Sequence, residues 1–397
     1  MNKATSETES AVWILTNPDQ PDVKIWGIPG TERLCRVLVA TGIAAEQISI
    51  GPLSEIQAQS GDVRIFRSDY VFDERLVRAL VDLPASHNSV LVASARQNVA
   101  VAASVEAGKR NEALAVFTNP ESFEKATSET KLNVMSSTDL VPAYNAVLRK
   151  SDPPYLLPIQ PERIEEIEAR IFKASYKGIT DVVTKWVWPR PAQAMVRLLA
   201  HAGVQPNTVT GLSWLLVILA TWLFAYGYFA FGLVAAWLMT FLDTVDGKLA
   251  RVTLTSSKIG HVLDHGLDLL HPPFWYLAWA VGLPAGAVWL GPAVMITLVG
   301  YIVGRLLEGV FMLAFKMEIH SWRPIDSFFR TITARRNPNL ILLSLGTLGG
   351  RPEWGLVCVA VWTLCSIAFH TVRLLQACGQ RWRGQPLQMW QESETAA

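Results

Sequence analysis

The sequence predicts a chain in two parts, an α/β domain at the N-terminus and an all-α membrane domain of six transmembrane helices. Three observations carry this expectation. Strand-like and helix-like stretches alternate through the first 150 of the 397 residues. Most of residues 207–376 is apolar, with its charges gathered in short clusters. Basic residues in the connections between the apolar stretches favour alternate sides, as the positive-inside rule requires.

In the N-terminal part, Ala11–Leu15, Gln47–Ile50, Val63–Phe66 and Ser89–Ala93 read as strands. Thr31–Thr41 and Asp73–Val81 carry helical periodicity. Their alternation points to βαβ units around a largely parallel sheet. From residue 151 a Pro-rich connector, SDPPYLLPIQP, is followed by an acidic amphipathic helix with Ile164, Ile167 and Ile171 on one face. Asp181–Gly203 then sets Trp186, Trp188, Met195, Val196, Leu198 and Leu199 beside basic residues. That composition suits a helix lying in the cytoplasmic membrane interface; a linker helix packed on the soluble domain is the alternative. The expected organisation is 1–150 for the α/β domain, 151–203 for the connector and interfacial helices, 204–376 for the six-span domain and 377–397 for a cytoplasmic tail.

Six apolar segments follow: 208–228, 230–250, 259–282, 286–314, 337–350 and 354–376. Most approach the roughly 20 residues that a helix needs to cross the hydrocarbon core; the fifth is short and glycine-rich. Lys185, Arg190 and Arg197 precede the first segment, and the next connection, AYGYFAF, is uncharged. Lys248, at the end of the second segment, is followed by Arg251 and Lys258 in the connection to the third, and GLPAG, between the third and fourth, is neutral again. Lys316, Arg323, Arg330, Arg335 and Arg336 fill the fourth connection, Arg351 and Glu353 the fifth, and Arg373, Arg381 and Arg383 lie at the end. This alternation predicts six spans with both termini cytoplasmic, in a cytoplasmic (inner) membrane.

The bulk composition agrees. About half of the residues are hydrophobic, the net charge is +1, and many of the 15 Trp lie in or near the apolar half, as expected at bilayer interfaces. MNKATSETESAVWIL lacks the pattern of a signal peptide. Cys35, Cys358, Cys365 and Cys378 have neither metal-ligand nor redox spacing and read as buried small hydrophobes in a reducing compartment. No run of charge suggests a nucleic-acid partner.

Four aspartates stand within this apolar part, in FLDTVDGKLARVTLTSSKIGHVLDHGLD at 241–268. At about 100° per residue, Asp243, Asp246, Gly247, Ala250 and Arg251 fall within roughly 140° on a helix. Gly260, Asp264 and Asp268 share one face through i, i+4 spacing. Two antiparallel helices joined near Thr253–Ser257 would point four carboxylates into one space, which is tolerable only with cations present. An all-oxygen ligand set suits Mg²⁺ or Mn²⁺ rather than zinc, and paired divalent ions are a recurring arrangement for displacement at phosphorus. Gly247, Ala250 and Gly260 leave room for a bulky ligand, and Arg251 suits a phosphate. Charges that merely set topology are the alternative, which accounts for the basic residues but not for four aspartates aligned with Gly and Ala.

The spacing Asp243-x2-Asp246-Gly247-x2-Ala250-Arg251-x8-Gly260-x3-Asp264-x3-Asp268 resembles the signature of the CDP-alcohol phosphatidyltransferases at every fixed position. The resemblance extends over about residues 190–376 and includes VQPNTVT at 204–210, similar to the Pro-Asn-x-x-Thr start of the family's first membrane helix. It implies six transmembrane helices, a homodimer, a lipid bilayer as surroundings and a site open to the cytoplasm. It implies that Asp243, Asp246, Asp264 and Asp268 hold two Mg²⁺ ions. Gly247, Ala250, Arg251 and Gly260 would bind the CDP moiety, with Asn207 and Thr210 nearby. Asp268 would be the base that deprotonates a hydroxyl acceptor, with CMP released from the CDP-alcohol donor.

Other features stand beside the motif. His261, His265 and His271 suit helix packing or hydrogen bonds to the metal site, with metal ligation as the alternative. ARRNPNL at 334–340 offers Arg335 and Arg336 either to an anionic substrate or to topology. Arg305 and Glu308 either form an ion pair lining the site or mark the cytoplasmic end of the fourth span.

In the N-terminal part, GIPGTERLCRVLVATGI at 27–43 and RIFRSDYVFDERLV at 64–77, with Asp69 at a strand end, resemble sugar-nucleotide nucleotidyltransferases, a Rossmann-like fold. WILTNPDQPDVKIWGIPG, however, has no Gly-rich, Arg-containing loop for a nucleoside triphosphate. The expectation is a degenerate copy serving stability, dimer contacts or regulation. The leading expectation for the whole chain is therefore a membrane transferase of phospholipid or polyol-phosphodiester biosynthesis. The alternatives are a bifunctional enzyme that also makes its CDP-alcohol from CTP, and a non-catalytic ion-binding scaffold or transporter.

Overall fold

A computed structural model describes residues 11–17, 21–56, 61–93, 99–118, 132–256, 258–284 and 289–391. The chain divides into two compact units. One holds the described residues up to Asn145 together with Asp152–Ala174, and the other holds Ala146–Ser151 and the chain from Ser175 onward.

The first unit is built on a six-stranded sheet. Its strands are β1 (Ala11–Leu15), β4 (Ile48–Gly51), β5 (Val63–Arg67), β7 (Ser89–Ala93), β8 (Val99–Val105) and β9 (Asn133–Met135), in the order β4-β1-β5-β8-β7-β9. β1 pairs parallel with β4 and β5, and β7 pairs parallel with β9. β8 runs antiparallel to both β5 and β7. The sheet is therefore mixed, which corrects the expectation of a largely parallel one. The cause is β8, whose sequence VAVAASV is rich in alanine and weak in strand propensity. Both of its faces are covered, so small residues fill the space between layers. The helices α1 (Gly30–Ala40), α2 (Glu74–Asp82) and α3 (Arg110–Thr118) accompany the sheet. Asp73 caps α2 by accepting from the Arg75 backbone N–H.

Two short elements were not evident in the sequence. β2 (Lys24–Ile25) and β3 (Ile28–Pro29) form a hairpin between β1 and α1, closed by Trp26 and Gly27 at positive φ. The Pro-rich connector supplies a strand, β10 (Leu156–Pro158), antiparallel to β6 (Tyr70–Phe72). Proline is tolerated there because the pairing is an isolated two-stranded ribbon. The acidic helix α4 (Ile164–Ala174) buries Ile167, Ile171 and Phe172, with Ile164 half-buried. It also buries Glu168, whose carboxylate accepts from the Trp26 backbone N–H at 2.8 Å.

The second unit is helical. After a π-type turn at Val183–Val187 come α5 (Pro189–His201), α6 (Pro206–Ala225), α7 (Phe229–Val252), α8 (Lys258–Gly282) and α9 (Leu290–Phe315). The series ends with α10 (Pro324–Ile332), α11 (Arg336–Leu348) and α12 (Pro352–Trp382). Among the described residues, α6, α7, α9 and α12 are long and apolar enough to cross a membrane. Helix α11 has 13 residues, about 20 Å of rise, which is short of the hydrocarbon thickness. Between α11 and α12 the backbones touch: a methyl group on Gly346 would lie 2.6 Å from the Gly355 Cα.

Helix α7 packs on α6, α8 on α6, α9 on α12 and α11 on α12. Phe224, Phe229, Trp275 and Trp279 form the aromatic centre of this packing. Leu215, Ile218, Phe231, Val299, Ile302 and Val361 point outward, as an apolar solvent would favour. Cys358, Cys365 and Cys378 are exposed and Cys35 is half-buried, all as free thiols. The expectation of buried cysteines was therefore wrong: an apolar helix places small hydrophobes on its outward face as readily as in a core.

Candidate active site

The motif lies on the C-terminal half of α7. Asp243, Gly247 and Arg251 recur every fourth residue, so they share one face, and all three line a cavity of about 510 Å³. A methyl group on Gly247 would meet no heavy atom within 4 Å, so the glycine keeps that stretch of wall open. Leu269 and Pro272 of α8 also line the cavity. The backbone of α8 carries Gly260, Asp264 and Asp268 at i, i+4 spacing, and Gly260 is half-buried. The side chains of Asp264, Asp268, His261 and His265 lie outside the described residues. His271 is buried, with its ring edge-on to Trp275 at 4.5 Å, in keeping with helix packing.

Each aspartate of α7 has a distant partner. Asp243 Oδ2 accepts from Arg336 Nη2 at 2.6 Å. Asp246 is buried, and its Oδ2 accepts from Thr210 Oγ1 at 2.7 Å, which ties the start of α6 to the motif. Thr210 thus touches the motif through Asp246. Asn207, one turn earlier, is exposed and does not line the cavity. Ala250 is half-buried on α7. Arg251 Nη1 donates to the Ser175 carbonyl at 3.1 Å.

Several lining residues carried no signal in the sequence. Lys248, adjacent to Gly247, is buried, donates to the Ser175 carbonyl at 3.0 Å and sits 3.5 Å from the centre of the Tyr176 ring. Asp181 is held by the backbone N–H groups of Val183 and Thr184, the Thr184 hydroxyl and Asn337 Nδ2. Burial would raise its carboxyl, but Arg330, Asn337 and Thr184 together hold it below its ordinary value. Arg149 pairs with Glu318 at the cavity wall.

The arginines of ARRNPNL take specific partners. Arg335 Nη2 reaches Glu308 Oε2 at 2.6 Å, and Arg305 reaches the same oxygen at 3.3 Å. The Arg305–Glu308 pair therefore lines the cavity, as one of the two sequence readings expected. Arg330 Nη1 is buried without a hydrogen-bond partner among the described residues. Burial and neighbouring Arg335 lower Arg330 to about 9, so it stays cationic at neutral pH. Eight basic side chains and four acidic ones line the cavity among the described residues, an excess of positive charge suited to a phosphate-bearing molecule.

The donor set fits a hard cation. The described candidate ligands of the motif, Asp243 and Asp246, offer only carboxylate oxygens, with no sulfur or nitrogen. A wall left open at Gly247 leaves room for a bulky ligand beside them.

Residues 204–362 match the CDP-alcohol phosphatidyltransferase family. The chain is 35% identical over 82 residues to the archaetidylinositol phosphate synthase of Pyrococcus horikoshii, covering 20% of this chain and 43% of that protein. It is 27% identical over 166 residues to cholinephosphotransferase 1 of Xenopus laevis, covering 39% of this chain and 38% of that protein. The chain thus spans less than half the length of these curated relatives. The family match starts beside α6 and ends within α12, so it takes in the aspartate helices and the arginine segment that close the cavity. Residues 204–362 are thus the part of the chain that is similar to the CDP-alcohol phosphatidyltransferase family.

Proposed function

We propose that this chain is an integral-membrane transferase that moves a substituted phosphate group from a CDP-alcohol to a hydroxyl acceptor and releases CMP. One observation carries the reading. A single cavity gathers Asp243, Gly247 and Arg251 of the motif with Arg330, Arg335 and Arg336 from a segment about 90 residues away in sequence. Buried Arg330 Nη1, lacking a protein partner among the described residues, suits a diphosphate oxygen. The names of the relatives, one a synthase of archaetidylinositol phosphate and the other a cholinephosphotransferase, both fit phospholipid synthesis with a polar alcohol component.

In this reading Asp243, Asp246, Asp264 and Asp268 hold two Mg²⁺ ions, or Mn²⁺ in their place. Bound there, the ions supply charge compensation for the diphosphate. Gly247, Ala250, Arg251 and Gly260 receive the cytidine diphosphate, with Thr210 orienting Asp246 and Asn207 at the start of α6. Asp268 accepts the proton of the acceptor hydroxyl, whose oxygen forms a bond to the phosphorus bearing the donor alcohol. The bond from that phosphorus to the bridging oxygen breaks, and CMP leaves with the electron pair. Arg251, fixed on the Ser175 carbonyl, holds positive charge near the leaving phosphate.

The surroundings proposed are a cytoplasmic membrane, six spans including α8 and α11, both termini cytoplasmic, and a homodimer. The proposed domain limits are 1–150, 151–203, 204–376 and 377–397. For the α/β unit the proposal is a degenerate nucleotidyltransferase. The β2–β3 hairpin, with buried Trp26 anchored on Glu168, takes up the segment where a triphosphate loop would be needed. Asp69 is tied to Arg67 by two hydrogen bonds, at 2.9 and 2.6 Å.

The test uses the purified full-length protein in lipid bilayers, offered Mg²⁺, CDP-diacylglycerol or CDP-inositol, and polyol, polyol-phosphate or lipid-alcohol acceptors. CMP release that requires both donor and acceptor, and stops on chelation, is the expected result. Failure of the folded protein to release CMP from any CDP-alcohol, with a related transferase active in the same assay, would overturn the proposal.

A further inference from the structure

A second cluster of metal-binding side chains lies on elements the aspartate motif does not use. Glu308 comes from α9, His320 from the single turn Ile319–Ser321 and His370 from α12. One ligand atom from each lies within 4.8 Å of the others. Both imidazoles are buried to within 2% of full burial. His370 has neither ring nitrogen hydrogen-bonded, and His320 Nδ1 has no partner either, among the described residues. Three ring nitrogens without partners on two buried histidines are an unusual cost for a packed interior.

The distances favour a cation over a hydrogen bond. His320 Nε2 stands 3.4 Å from Glu308 Oε1, which is long for a hydrogen bond. With metal–ligand bonds of about 2.05 Å, the edge of a tetrahedral zinc site is about 3.3 Å. Glu308 can serve in this way because Arg335 and Arg305 approach its other oxygen, Oε2. The arginines thereby orient the carboxylate as outer partners of a ligand commonly do, although their charge lowers cation affinity. Beside Glu308 and His370 lies a cavity of about 20 Å³, enough for one water as a fourth ligand.

We propose that Glu308, His320 and His370 form a binding site for one borderline-soft divalent cation, best matched by Zn²⁺, separate from the aspartate site. Two imidazoles and one carboxylate suit zinc, whereas Mg²⁺ prefers oxygen ligands throughout. The ion would clamp α9, the turn at Ile319–Ser321 and α12 together. Because Glu308 also lines the large cavity, the clamp fixes the position of Arg335 and Arg305 on its wall. The inference does not depend on the transferase reading, since it concerns metal content rather than turnover.

Full-length protein in detergent, stripped with chelator and returned to excess Mg²⁺, is titrated with Co²⁺ as a spectroscopic stand-in for Zn²⁺. The expected result is the intense visible absorption of four-coordinate Co²⁺, saturating at about one ion per chain and erased by an equal amount of Zn²⁺. The signal should survive in Asp243→Asn, which alters the aspartate site alone. In His370→Ala and His320→Ala the Co²⁺ affinity should fall by at least about 10-fold. His370→Asn, which keeps a polar side chain, provides a second variant if the alanine variant fails to fold. No such absorption in folded wild-type protein, or unchanged Co²⁺ binding in the folded histidine variants, would overturn the proposal.

Discussion

The two units of this chain handle charge in opposite ways. In the α/β unit the ion pairs are mostly local and partly exposed: Arg67 with Asp69, Arg75 with Asp73, Lys109 with Glu112. In the helical unit the pairs join residues far apart in sequence and lie deeper. Asp243 meets Arg336, Asp326 meets Arg373, and Glu308 meets Arg335. Local pairs of this kind contribute little to a fold that an apolar sheet core already defines. Distant pairs between helices set the register of one helix against another, and in this chain several of them form the wall of one cavity. A polar group buried among apolar helices is costly unless it is held or functional. The helical unit is therefore where substitutions of charge should matter.

The largest expected effect is at Asp268. Asp268→Asn should lower transfer by roughly 10²–10⁴-fold, the range associated with a positioned general base. CMP release measured against donor concentration is the check. Near-wild-type turnover would remove Asp268 from the role of base.

Next comes the Arg373–Asp326 pair. Arg373 Nε donates to Asp326 Oδ1 at 2.5 Å and Nη2 to Oδ2 at 2.9 Å, with both side chains almost fully buried. The Arg373 guanidinium also lies over the Trp322 ring at 4.4 Å. Arg373→Ala would leave a buried carboxylate without its cation, at a cost of about 3–5 kcal/mol. Thermal unfolding in detergent would register this as a large fall in Tm. Replacing both partners by apolar residues of similar volume should recover much of the loss, because the penalty comes from the orphaned charge.

How much of this was legible beforehand follows the same division. The aspartate motif could be read because its spacing lies within two helices, where a fixed angle per residue turns sequence into geometry. The hydropathy pattern likewise located helices at all six apolar segments; among the described residues, four have the length and composition of spans. The partners could not be read. Nothing in ARRNPNL says that Arg336 meets Asp243 across 93 residues or that Asn337 holds Asp181 across 156. Lys248 was equally hidden, although it stands next to Gly247, since only packing shows that its amine reaches the Ser175 carbonyl. In the α/β unit, the alanine-rich β8 hid the antiparallel pairing because weak propensity was outweighed by burial on both faces.

A smaller effect sharpens the role of the open wall. Gly247→Ala adds a methyl group that meets no heavy atom within 4 Å. In an otherwise empty helix interior it should stabilise α7 by about 0.5–1 kcal/mol. Gly247→Leu extends further into the cavity and should lower kcat/KM for the CDP-alcohol by about 10- to 100-fold. Rising stability together with falling donor affinity would mark Gly247 as space reserved for a ligand. A loss of both would mark it as a packing position.

The smallest effect is expected in the other unit. Asp69 stands at the end of the strand whose sequence resembles the sugar-nucleotide nucleotidyltransferases. In this chain Arg67 claims both of its oxygens, and the pair is about one-quarter exposed. Asp69→Asn should therefore cost at most about 1 kcal/mol in unfolding free energy and leave CMP release from a supplied CDP-alcohol unchanged. Pyrophosphate release from CTP and a sugar phosphate, measured on the same two proteins, gives the sharper comparison. If the unit is degenerate, as proposed, neither protein releases any. Pyrophosphate that appears in the wild type and disappears in Asp69→Asn would show that the α/β unit makes the donor. The contrast between a structural and a chemical unit would then fail, because one local carboxylate would carry a reaction of its own.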